Sequence, residues 1–405
     1  MIHINQRGYP TDVRIAPEIK SLTRAGHEVA VLTFRRAGEA RDEVVDGTRI
    51  LRFNILEDFR GAMLKRKVVS LRDRIFFLNP WWRDRIIDVC RDYDAIHVHD
   101  LPYVRTAVSA GRALGIPVVF DMHENYPGMI ELGYRSGTSP RRDNIPFLFG
   151  RLSRYELDAC RSADFIVTVV EESRARLISL GIPPGKIIVA ENTMDRELFD
   201  GASIDESLTT PFKDRFVITY LGGISELRGV GTVIEAIPEI AESIPNILFL
   251  VVGGWENSGA ERKFRKLAAD LGVSDRVAYT GLVRQDLIPT YLSATDIGLV
   301  PHQVSVLTNS TLPHKLFDYM LMKKPIIVTD CAPLRRIVEE VACGLVVPDG
   351  RSDLLAQAVD RLADRERAAA LGEKGYAAAL DKYNWEESVK PLLALYSETL
   401  STRTL

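Results

Sequence analysis

Short apolar segments alternate with helical segments along the chain, and this alternation occurs twice. The first series of predicted strands lies within residues 2–190 and the second within residues 216–347. Residues 195–214 between them are polar and have no apolar period, which is typical of a linker. Strands that alternate with helices form parallel sheets covered on both faces. The sequence therefore predicts an α/β protein with two such domains in tandem, over residues 1–200 and 201–383.

The predicted strands are short segments rich in apolar residues. Ligands of such sheets bind beyond the carboxyl ends of the strands, so two facing edges would form an interdomain cleft. A last helix, within residues 384–405, either packs back on the first domain as a brace or completes the second domain. The predicted strands are 2–5, 27–33, 48–53, 93–99, 116–121, 164–169, 186–190, 216–221, 247–252, 277–280, 297–300, 325–328 and 344–347.

Composition and charge exclude several classes of protein. The 405 residues are 46% hydrophobic and 26% charged, as in ordinary globular domains, and no apolar run is long enough to span a membrane. The net charge of −3 argues against a nucleic-acid partner. The four cysteines lack metal-binding spacing, and the N-terminal residues contain no signal-peptide core. We therefore expect a cytoplasmic protein without disulfides or a metal.

The stretch of residues 310–328 has the pattern of a loop, a short helix and a buried strand. Ser310 or Thr311 is expected to cap the helix, and the nearby proline suits its first turn. Lys315 and Asp318 are three residues apart, so they share one face near the helix start. A helix start suits a phosphate group, and a carboxylate one turn further can bind sugar hydroxyls. An ordinary loop–helix–strand unit without a ligand is the alternative.

Turns that contain glycine follow three predicted strands of the second domain. Gly222 and Gly223 follow the first of these strands, and Arg228 comes near the start of the next helix. Glycine lets a backbone approach a phosphate closely, and arginine adds a forked cation. Gly253 ends the next strand in the same way, and the segment Gly281-Leu282-Val283 after the third can meet a flat base. Turns that need glycine only for a positive φ angle are the alternative.

Polar or glycine residues also follow three predicted strands of the first domain. Gly8 follows the first strand, where a ligand would need a close approach to the backbone. His97-Val98-His99-Asp100 ends another strand, and Asp121-Met122-His123-Glu124 ends the one after it. Clustered histidines and carboxylates indicate a site, and zinc suits the residue types, although the spacing matches no zinc motif. Histidines that face the core, beside residues that cap helices, are the alternative.

Residues 59–85 are basic and aromatic in a protein of negative net charge. They contain eight Lys or Arg and two Asp, a local charge of +6, with Phe76, Phe77, Trp81 and Trp82 between them. Such a stretch can lie on an anionic membrane surface or contact an anionic acceptor. A solvated charged helix whose aromatic side chains pack in the core is an equal alternative. We therefore expect peripheral contact with the inner face of a membrane as one possibility.

Several segments together carry a resemblance to a known family. The most specific is Leu312-Pro313-His314-Lys315-Leu316-Phe317-Asp318-Tyr319, which is similar to the Leu-Pro-x-Lys-x-x-Glu-Tyr form of a donor-site helix. The others are residues 10–14, 26–29, 121–127 and 221–229, and the segment around Trp385. Over nearly its whole length the chain resembles the retaining, nucleotide-sugar-dependent glycosyltransferases with two facing Rossmann-like domains (the GT-B architecture, glycosyltransferase family 4).

The resemblance implies roles for individual residues. Arg228 and Lys315 would be catalytic through the donor phosphates, and His123 through the transferred sugar and phosphate. Asp100 and Glu124 are candidates on the sugar and acceptor side. The residues implied in donor binding are Gly8, Gly222, Gly223, Gly253, Gly281, Val283, Ser310, Thr311, Leu312, Pro313, Leu316 and Asp318.

Three positions depart from the family pattern. Asp318 stands where relatives hold the ribose hydroxyls with glutamate, so its side chain is shorter by one methylene group. Ser310 stands where many relatives have a second glutamate for the sugar, so hydroxyl groups or backbone would recognise the sugar instead. Gly223 stands where many relatives have arginine, which leaves Arg228 and Lys315 as the main phosphate cations.

The leading hypothesis is sugar transfer with retention from a UDP- or GDP-sugar to an acceptor hydroxyl, in polysaccharide, glycolipid or natural-product glycoside synthesis. The acceptor would be a sugar, a lipid-linked molecule or a small molecule. No cofactor or metal is expected, because protein cations would stabilise the leaving diphosphate. A sugar-nucleotide epimerase of the same architecture, with Asp100, Asp121 and Glu124 as acid and base, is one alternative. A non-catalytic sugar-nucleotide-binding partner subunit, suggested by the missing glutamates, is the other.

Overall fold

The chain folds into two compact units. The structure is a computed structural model. It describes residues 1–5, 9, 14–54, 77–135, 147–194, 196, 199–256 and 258–401. One unit consists of Met1–Glu191 together with Val389–Leu405, and the other consists of Asn192–Ser388. The first unit is therefore made of two segments of the chain, and the second unit of one.

The first unit contains a mostly parallel sheet with helices between its strands. Its strands are β1 Ile2–Asn5, β2 Ala30–Phe34, β3 Asp42–Val45, β4 Thr48–Phe53, β5 Ile96–His99, β6 Val118–Met122, β7 Phe165–Thr168 and β8 Ile187–Val189. The sheet has eight strands in the order β3-β4-β2-β1-β5-β6-β7-β8. Only β3 pairs in the antiparallel sense, with β4 at one edge. The helices that precede the second unit are α1 Ile15–Arg24, α2 Pro80–Cys90, α3 Val104–Leu114, α4 Tyr126–Arg135, α5 Phe147–Ser162 and α6 Glu171–Ser179.

Helices cover this sheet because their apolar residues recur at helical spacing. In α1, Ile15, Ile19 and Leu22 are buried, while the opposite face of the helix carries polar residues. The central strands β1 and β5 are buried along their whole length, as expected of parallel strands covered on both faces. The chain order reverses between β1 and β5, so the carboxyl ends of these two strands mark the place where ligands bind in such sheets.

The second unit contains a fully parallel sheet. Its strands are β9 Phe216–Leu221, β10 Ile247–Val252, β11 Val277–Gly281, β12 Ile297–Val300, β13 Ile326–Thr329 and β14 Gly344–Val347. The sheet has six strands in the order β11-β10-β9-β12-β13-β14, so the chain order reverses between β9 and β12. The helices are α7 Glu206–Thr209, α8 Val230–Ser243, α9 Ser258–Asp270, α10 Ile288–Ser293, α11 Lys315–Leu321, α12 Ala332–Val341, α13 Ser352–Leu362, α14 Arg365–Asp381 and α15 Trp385–Ser388.

Two glycines allow close packing around β12. A Cβ atom at Gly298 would lie 2.4 Å from Cγ of Tyr319, because the aromatic ring packs directly on the strand. The Tyr319 hydroxyl donates to the carbonyl of Thr219, at 2.9 Å. Gly229 has a φ of +69°, and a Cβ atom there would lie 1.6 Å from the Pro301 carbonyl oxygen. These contacts hold the segments that follow β9 and β12 against each other.

The last helix, α16 Lys390–Ser401, belongs to the first unit. Its Tyr396 is fully buried, and the hydroxyl oxygen lies 2.8 Å from Nδ1 of His97 on β5. The helical segment predicted over residues 385–400 is two helices, because α15 ends at Ser388 and Pro391 occupies the first turn of α16.

The structure contains every predicted strand, with ends that differ by at most three residues, as for 27–33 against Ala30–Phe34. Strand β3 was not predicted. It pairs with β4 through a turn at Asp46 and Gly47, which have φ angles of 48° and 78°. An Asp-Gly pair is a hairpin signal that the sequence offered.

The basic stretch 59–85 is described only from residue 77 onward, so most of it lies outside the described residues. In the described part, Asn79 accepts a hydrogen bond from the Trp82 N–H and thereby caps α2. Trp82 is buried and its ring centre lies 4.8 Å from that of Phe34. Trp82 therefore packs in the core, as the alternative interpretation expected. Within the described part of the chain, no helix has the length and apolar character needed to cross a bilayer.

Candidate active site

The main candidate site of the second unit lies at the carboxyl ends of β9 and β12. Gly222 follows β9 with a φ of +119°, and its N–H donates to the Val252 carbonyl at 2.8 Å. A Cβ atom at Gly222 would lie 3.2 Å from Nζ of Lys315, at the start of α11. The predicted glycine turn and the predicted lysine are therefore in direct contact.

Lys315 carries a buried amine. Its side chain is enclosed, with Nζ 3.9 Å from the centre of the Tyr220 ring and 3.4 Å from Nε2 of His302. The carboxylates of the described residues form no ion pair with this amine. Burial lowers the pKa of Lys315 well below its usual value, the charge of Arg228 lowers it further, and Asp318 opposes the shift. An anionic ligand would relieve this desolvation.

Two other basic side chains share the electrostatic field of Lys315. Arg228 lies in a short 3-10 turn after β9, directly before Gly229, and is half-buried. His302 follows β12 and is buried, and its pKa is lowered well below the usual value by burial and then by the charges of Lys315 and Arg228. Neutral His302 can therefore sit beside the lysine without adding charge. Sequence reasoning missed His302 and Tyr220, because a single histidine after a strand and a tyrosine inside one carry no motif.

Asp318 lies one turn further along α11 and is a buried acid. It is 3% exposed, and its Oδ1 has no hydrogen-bond partner among the described residues. Burial raises the pKa of Asp318 to about 8, although the charge of Lys315 opposes this shift. A buried carboxyl oxygen without a partner is costly, so a hydroxyl donor from a ligand would be favourable there.

The predicted cap of this helix is wrong. Helix α11 begins at Lys315, its N-cap residue is His314, and no side chain caps it. The Ser310 hydroxyl donates to the carbonyls of Val306 and Leu307, and the Thr311 hydroxyl also donates to Leu307. These hydroxyls therefore shape the preceding loop. Pro313 consequently lies before the helix instead of in its first turn, and the buried side chains of Leu312 and Leu316 anchor the loop and the helix.

The other predicted glycines lie along the same edge of the sheet. Gly253 has a φ of +149°, and a Cβ atom there would lie 2.0 Å from the Gly222 carbonyl oxygen. Gly253 also forms an isolated bridge with Gly281, at the end of β11. Val283 is half-buried, two residues after Gly281. The sheet register thus brings the ends of three neighbouring strands together.

Gly223 is exposed, and an acidic side chain lies beside it. A Cβ atom at Gly223 would lie 3.7 Å from Oε1 of Glu256, in the segment after β10. The Gly223 position is therefore open in this chain and lies next to a carboxylate. Sequence reasoning did not identify Glu256, since only the pairing of Ile224 with Trp255 brings it here.

The first unit presents its own group of predicted residues. His123 follows β6 and is 5% exposed, with Nε2 3.0 Å from Oδ2 of Asp121. Asp100 follows β5 with a φ of 63°, and it forms an ion pair of 3.5 Å with Arg14. Glu124 is half-buried directly after His123. Gly8 lies outside the described residues.

Electrostatics favour a charged pair of His123 and Asp121. Burial by itself raises the pKa of Asp121. The opposing effects are larger, namely the charge of His123 and the hydrogen bonds from His123, His97 and His99, so the pKa of Asp121 lies well below its usual value. Burial lowers the pKa of His123, but the charge of Asp121 outweighs it and raises that pKa. The imidazole nitrogen that faces Asp121 is thus Nε2, which leaves Nδ1 as the nitrogen that can serve a substrate.

Comparison with known proteins agrees with this geometry. Residues 17–198 match the family model described as Glycosyltransferase Family 4, and residues 215–365 match the model described as Glycosyl transferases group 1. A D-inositol 3-phosphate glycosyltransferase from Acidothermus cellulolyticus is 25% identical over 321 residues, which are 77% of this chain and 68% of that protein.

Solved structures show the same fold over the whole chain. Sucrose-phosphate synthase from Thermosynechococcus elongatus superposes with a TM-score of 0.73 at 17% identity and covers 99% of both chains. The Anabaena protein HepE in complex with UDP-glucose superposes with a TM-score of 0.71 at 16% identity, again over 99% of both chains.

The fold and the site together define a glycosyltransferase of the GT-B class that uses a nucleotide-sugar donor. The chain belongs to the group 1 glycosyltransferases of family 4. These findings favour transfer over the epimerase and the non-catalytic subunit that the sequence left open.

Proposed function

We propose that the protein transfers a sugar from a UDP- or GDP-sugar to an acceptor hydroxyl with retention of the anomeric configuration. The observation that carries this proposal is the buried Lys315 amine, which packs against the Gly222 turn without an anionic partner among the described residues. A diphosphate at this turn would supply the missing negative charge. Arg228 shares the same electrostatic field and can add a second cation.

Cations at this place would act on the reaction step itself. Negative charge builds on the diphosphate as its bond to the sugar breaks, and fixed positive charges in a desolvated site stabilise that charge. Lys315 is held in place by burial and by the Tyr220 ring, so little reorganisation is needed during the reaction. We propose that a diphosphate oxygen accepts the acceptor's proton on the same face of the sugar, which gives retention. No cofactor or metal is required for this step.

Recognition of the nucleoside is proposed for Asp318. Its unpartnered Oδ1 can accept a hydrogen bond from a ribose hydroxyl. HepE has been solved with UDP-glucose, which supports a uracil nucleotide as the first candidate, with GDP as the second. The glycine-lined ends of β10 and β11 supply an open backbone edge on which a flat base can lie.

Residues of the first unit are proposed for the sugar and acceptor side. His123 can reach a substrate through Nδ1, while Asp100 and Glu124 are charged groups at the neighbouring strand ends. The acceptor class is proposed from residues 59–85, whose +6 local charge suits an anionic, lipid-linked or polysaccharide acceptor at a membrane surface. On this proposal the protein works in the cytoplasm, at the inner face of the membrane.

A calorimetric experiment tests the site directly. The pKa of Lys315 is lowered without a ligand, so binding of a diphosphate should raise it and take up protons. UDP and GDP are titrated at pH 8, with a chelator present, in two buffers that differ in ionisation enthalpy. We expect binding with proton uptake, and loss of that uptake in Lys315→Met. Absence of binding by UDP, GDP and ADP, or equal uptake in the variant, would contradict the proposal.

A further inference from the structure

Five polar side chains of the first unit form a buried cluster that donor binding does not explain. They come from three neighbouring strands, because the register pairs His3 of β1 with His97 of β5 and pairs His99 of β5 with Asp121 of β6. His123 follows one residue after β6. All five are at most 5% exposed. The ligand atoms are brought together by strand pairing, so their sequence spacing matches no motif.

Three of these side chains converge on one small volume. Nδ1 of His99 lies 2.7 Å from Oδ2 of Asp121, and Nε2 of His123 lies 3.0 Å from the same oxygen. The two imidazole nitrogens are 3.1 Å apart. Nitrogen and oxygen atoms with lone pairs in this arrangement match the ligand set of a small divalent transition-metal ion.

Hydrogen bonding alone satisfies this arrangement poorly. If both imidazoles donate to Asp121 Oδ2, two N–H groups lie side by side at a nitrogen separation of 3.1 Å. If one of the two nitrogens lacks its proton, it can accept a hydrogen bond from the other imidazole at 3.1 Å, but its lone pair then also lies close to the carboxylate oxygen. Nε2 of His97 is a third nitrogen at 3.4 Å from the same oxygen, while Oδ1 of Asp121 is buried without a hydrogen-bond partner among the described residues. A cation between the three atoms removes this conflict.

We propose that His99 Nδ1, Asp121 Oδ2 and His123 Nε2 bind one divalent transition-metal ion of the Zn²⁺ type. Bonds of about 2.0–2.1 Å in a tetrahedral arrangement place ligand atoms about 3.3 Å apart. The His99–Asp121 pair of atoms, now 2.7 Å apart, must therefore separate by about 0.6 Å, and the other two pairs, at 3.0 and 3.1 Å, by about 0.2–0.3 Å. Three protein ligands leave a fourth position for water or for an oxygen of a substrate.

The neighbouring residues orient the ligands as metal sites require. With His99 bound through Nδ1, its Nε2–H can donate to Nδ1 of His3, which lies at 3.0 Å. The hydroxyl oxygen of Tyr396 lies 2.8 Å from Nδ1 of His97, so this contact fixes the orientation of the His97 ring, whose Nε2 lies 3.4 Å from Oδ2 of Asp121. The three proposed ligand residues belong to the first unit, whereas Arg228 and Lys315, which are proposed for the diphosphate, belong to the second.

Metal binding is tested with the full chain, produced without a histidine tag. The protein is stripped with a chelator, dialysed against Zn²⁺ or Co²⁺, and analysed for bound metal and for the visible absorption of bound cobalt. We expect about one ion per chain, a tetrahedral cobalt spectrum, and a thermal midpoint that rises with the Zn²⁺ concentration. Less than one tenth of an equivalent in the wild type would overturn the proposal, whatever the variants do.

Variants identify the ligands. His99→Gln and Asp121→Asn are expected to lose at least ten-fold in Zn²⁺ affinity, whereas His27→Gln, a histidine outside the cluster, should bind like the wild type. Unchanged affinity in folded His99→Gln would refute the assignment. If that variant does not fold, His123→Cys serves instead, because a thiolate ligand adds a charge-transfer band to the cobalt spectrum. A spectrum of His123→Cys without that band would exclude His123 as a ligand.

Discussion

The Nζ atom of Lys315 lies 3.9 Å from the centre of the Tyr220 ring. A cation over an aromatic face is stabilised by the ring's quadrupole, and this contact partly offsets the cost of burying the amine. The ring does not neutralise the charge, so the amine can still attract an anion. The pair therefore holds the amine in place before the donor arrives, and a bound diphosphate then favours its charged form.

Replacement of this cation is expected to abolish most of the activity. Lys315→Met keeps the length and apolar stem of the side chain but removes its charge. We expect kcat to fall by about 100-fold or more, the effect of removing one electrostatic donor from a transition state. Steady-state assays with the preferred donor measure this fall in kcat. The exposed Lys374→Met is the matched control, and equal rates in the two variants would refute the role of Lys315.

The pH dependence of stability should reveal the buried carboxyl of Asp318. Its folded pKa of about 8 lies above its unfolded value, so the folded state retains a proton that the unfolded state has lost. Its stabilising contribution is full below about pH 4 and is lost as the pH rises through about 8. Lys315 acts with the opposite sign, because its pKa is lowered on folding.

Urea unfolding at pH 5, 6.5 and 8 separates the two effects. We expect Asp318→Asn to gain stability relative to the wild type as the pH rises, because the variant has no carboxyl to deprotonate. Lys315→Met should lose stability over the same range. The exposed Asp275→Asn should follow the wild type, and a pH-independent offset for Asp318→Asn would contradict the raised pKa.

Asp318 should also discriminate ribose from deoxyribose. The wild type is expected to bind its nucleoside diphosphate about ten-fold more tightly than the 2′-deoxy form, which corresponds to about 1.4 kcal/mol. Asp318→Asn should lose this preference, because an amide oxygen accepts a hydrogen bond from the ribose hydroxyl more weakly than a carboxylate oxygen does. Calorimetric titration measures both ligands. The exposed Glu339→Gln should keep the preference, and a preference that persists equally in Asp318→Asn would place ribose recognition elsewhere.

Gly298 should tolerate no side chain. Its Cβ position lies 2.4 Å from the Tyr319 ring, so Gly298→Ala forces the ring away from β12. Overpacking of this kind costs about 1–3 kcal/mol. Gly185→Ala is the control, because no atom lies within 4 Å of its Cβ position. Thermal unfolding of the two variants measures the difference. Similar unfolding midpoints would show that the Tyr319 ring can move aside without a cost in stability.

Tyr396 should stabilise the first unit through a single hydroxyl. Tyr396→Phe leaves Nδ1 of buried His97 without this partner, and we expect the free energy of unfolding to fall by about 1–3 kcal/mol. Tyr134→Phe, at a residue 36% exposed, should change it by less than about 0.5 kcal/mol. Urea titration measures the free energy of unfolding of both variants. Equal values would show that the Tyr396 hydroxyl contributes little to stability.

Local patterns predicted the positions of the strands along the chain well, because period and turn residues are local properties. The spacing of Lys315 and Asp318 correctly placed both on one helix, and the turn at Gly222 lies beside Lys315. The cap at Ser310 was wrong, because the chain first forms a tight loop whose carbonyls attract that hydroxyl. The local sequence alone does not reveal that competition.

Contacts between distant segments were beyond prediction. His3 is separated from His99 by 96 positions, and only the pairing of β1 with β5 brings their rings together. Glu256 meets Gly223 for a similar reason, through the segments after β10 and β9. The pairing of strands that are far apart in the sequence produces both contacts, and no short segment of the sequence reveals that pairing.

The division of the first unit between the two ends of the chain affects how the protein is made. A ribosome completes residues 1–191 long before it reaches Tyr396, and the intervening second unit takes roughly 10–40 s to synthesise at about 5–20 residues per second. During that time the surface that α16 will cover stays open on the nascent chain. The second unit, made of one continuous segment, is thus the first to be complete, although it is translated later.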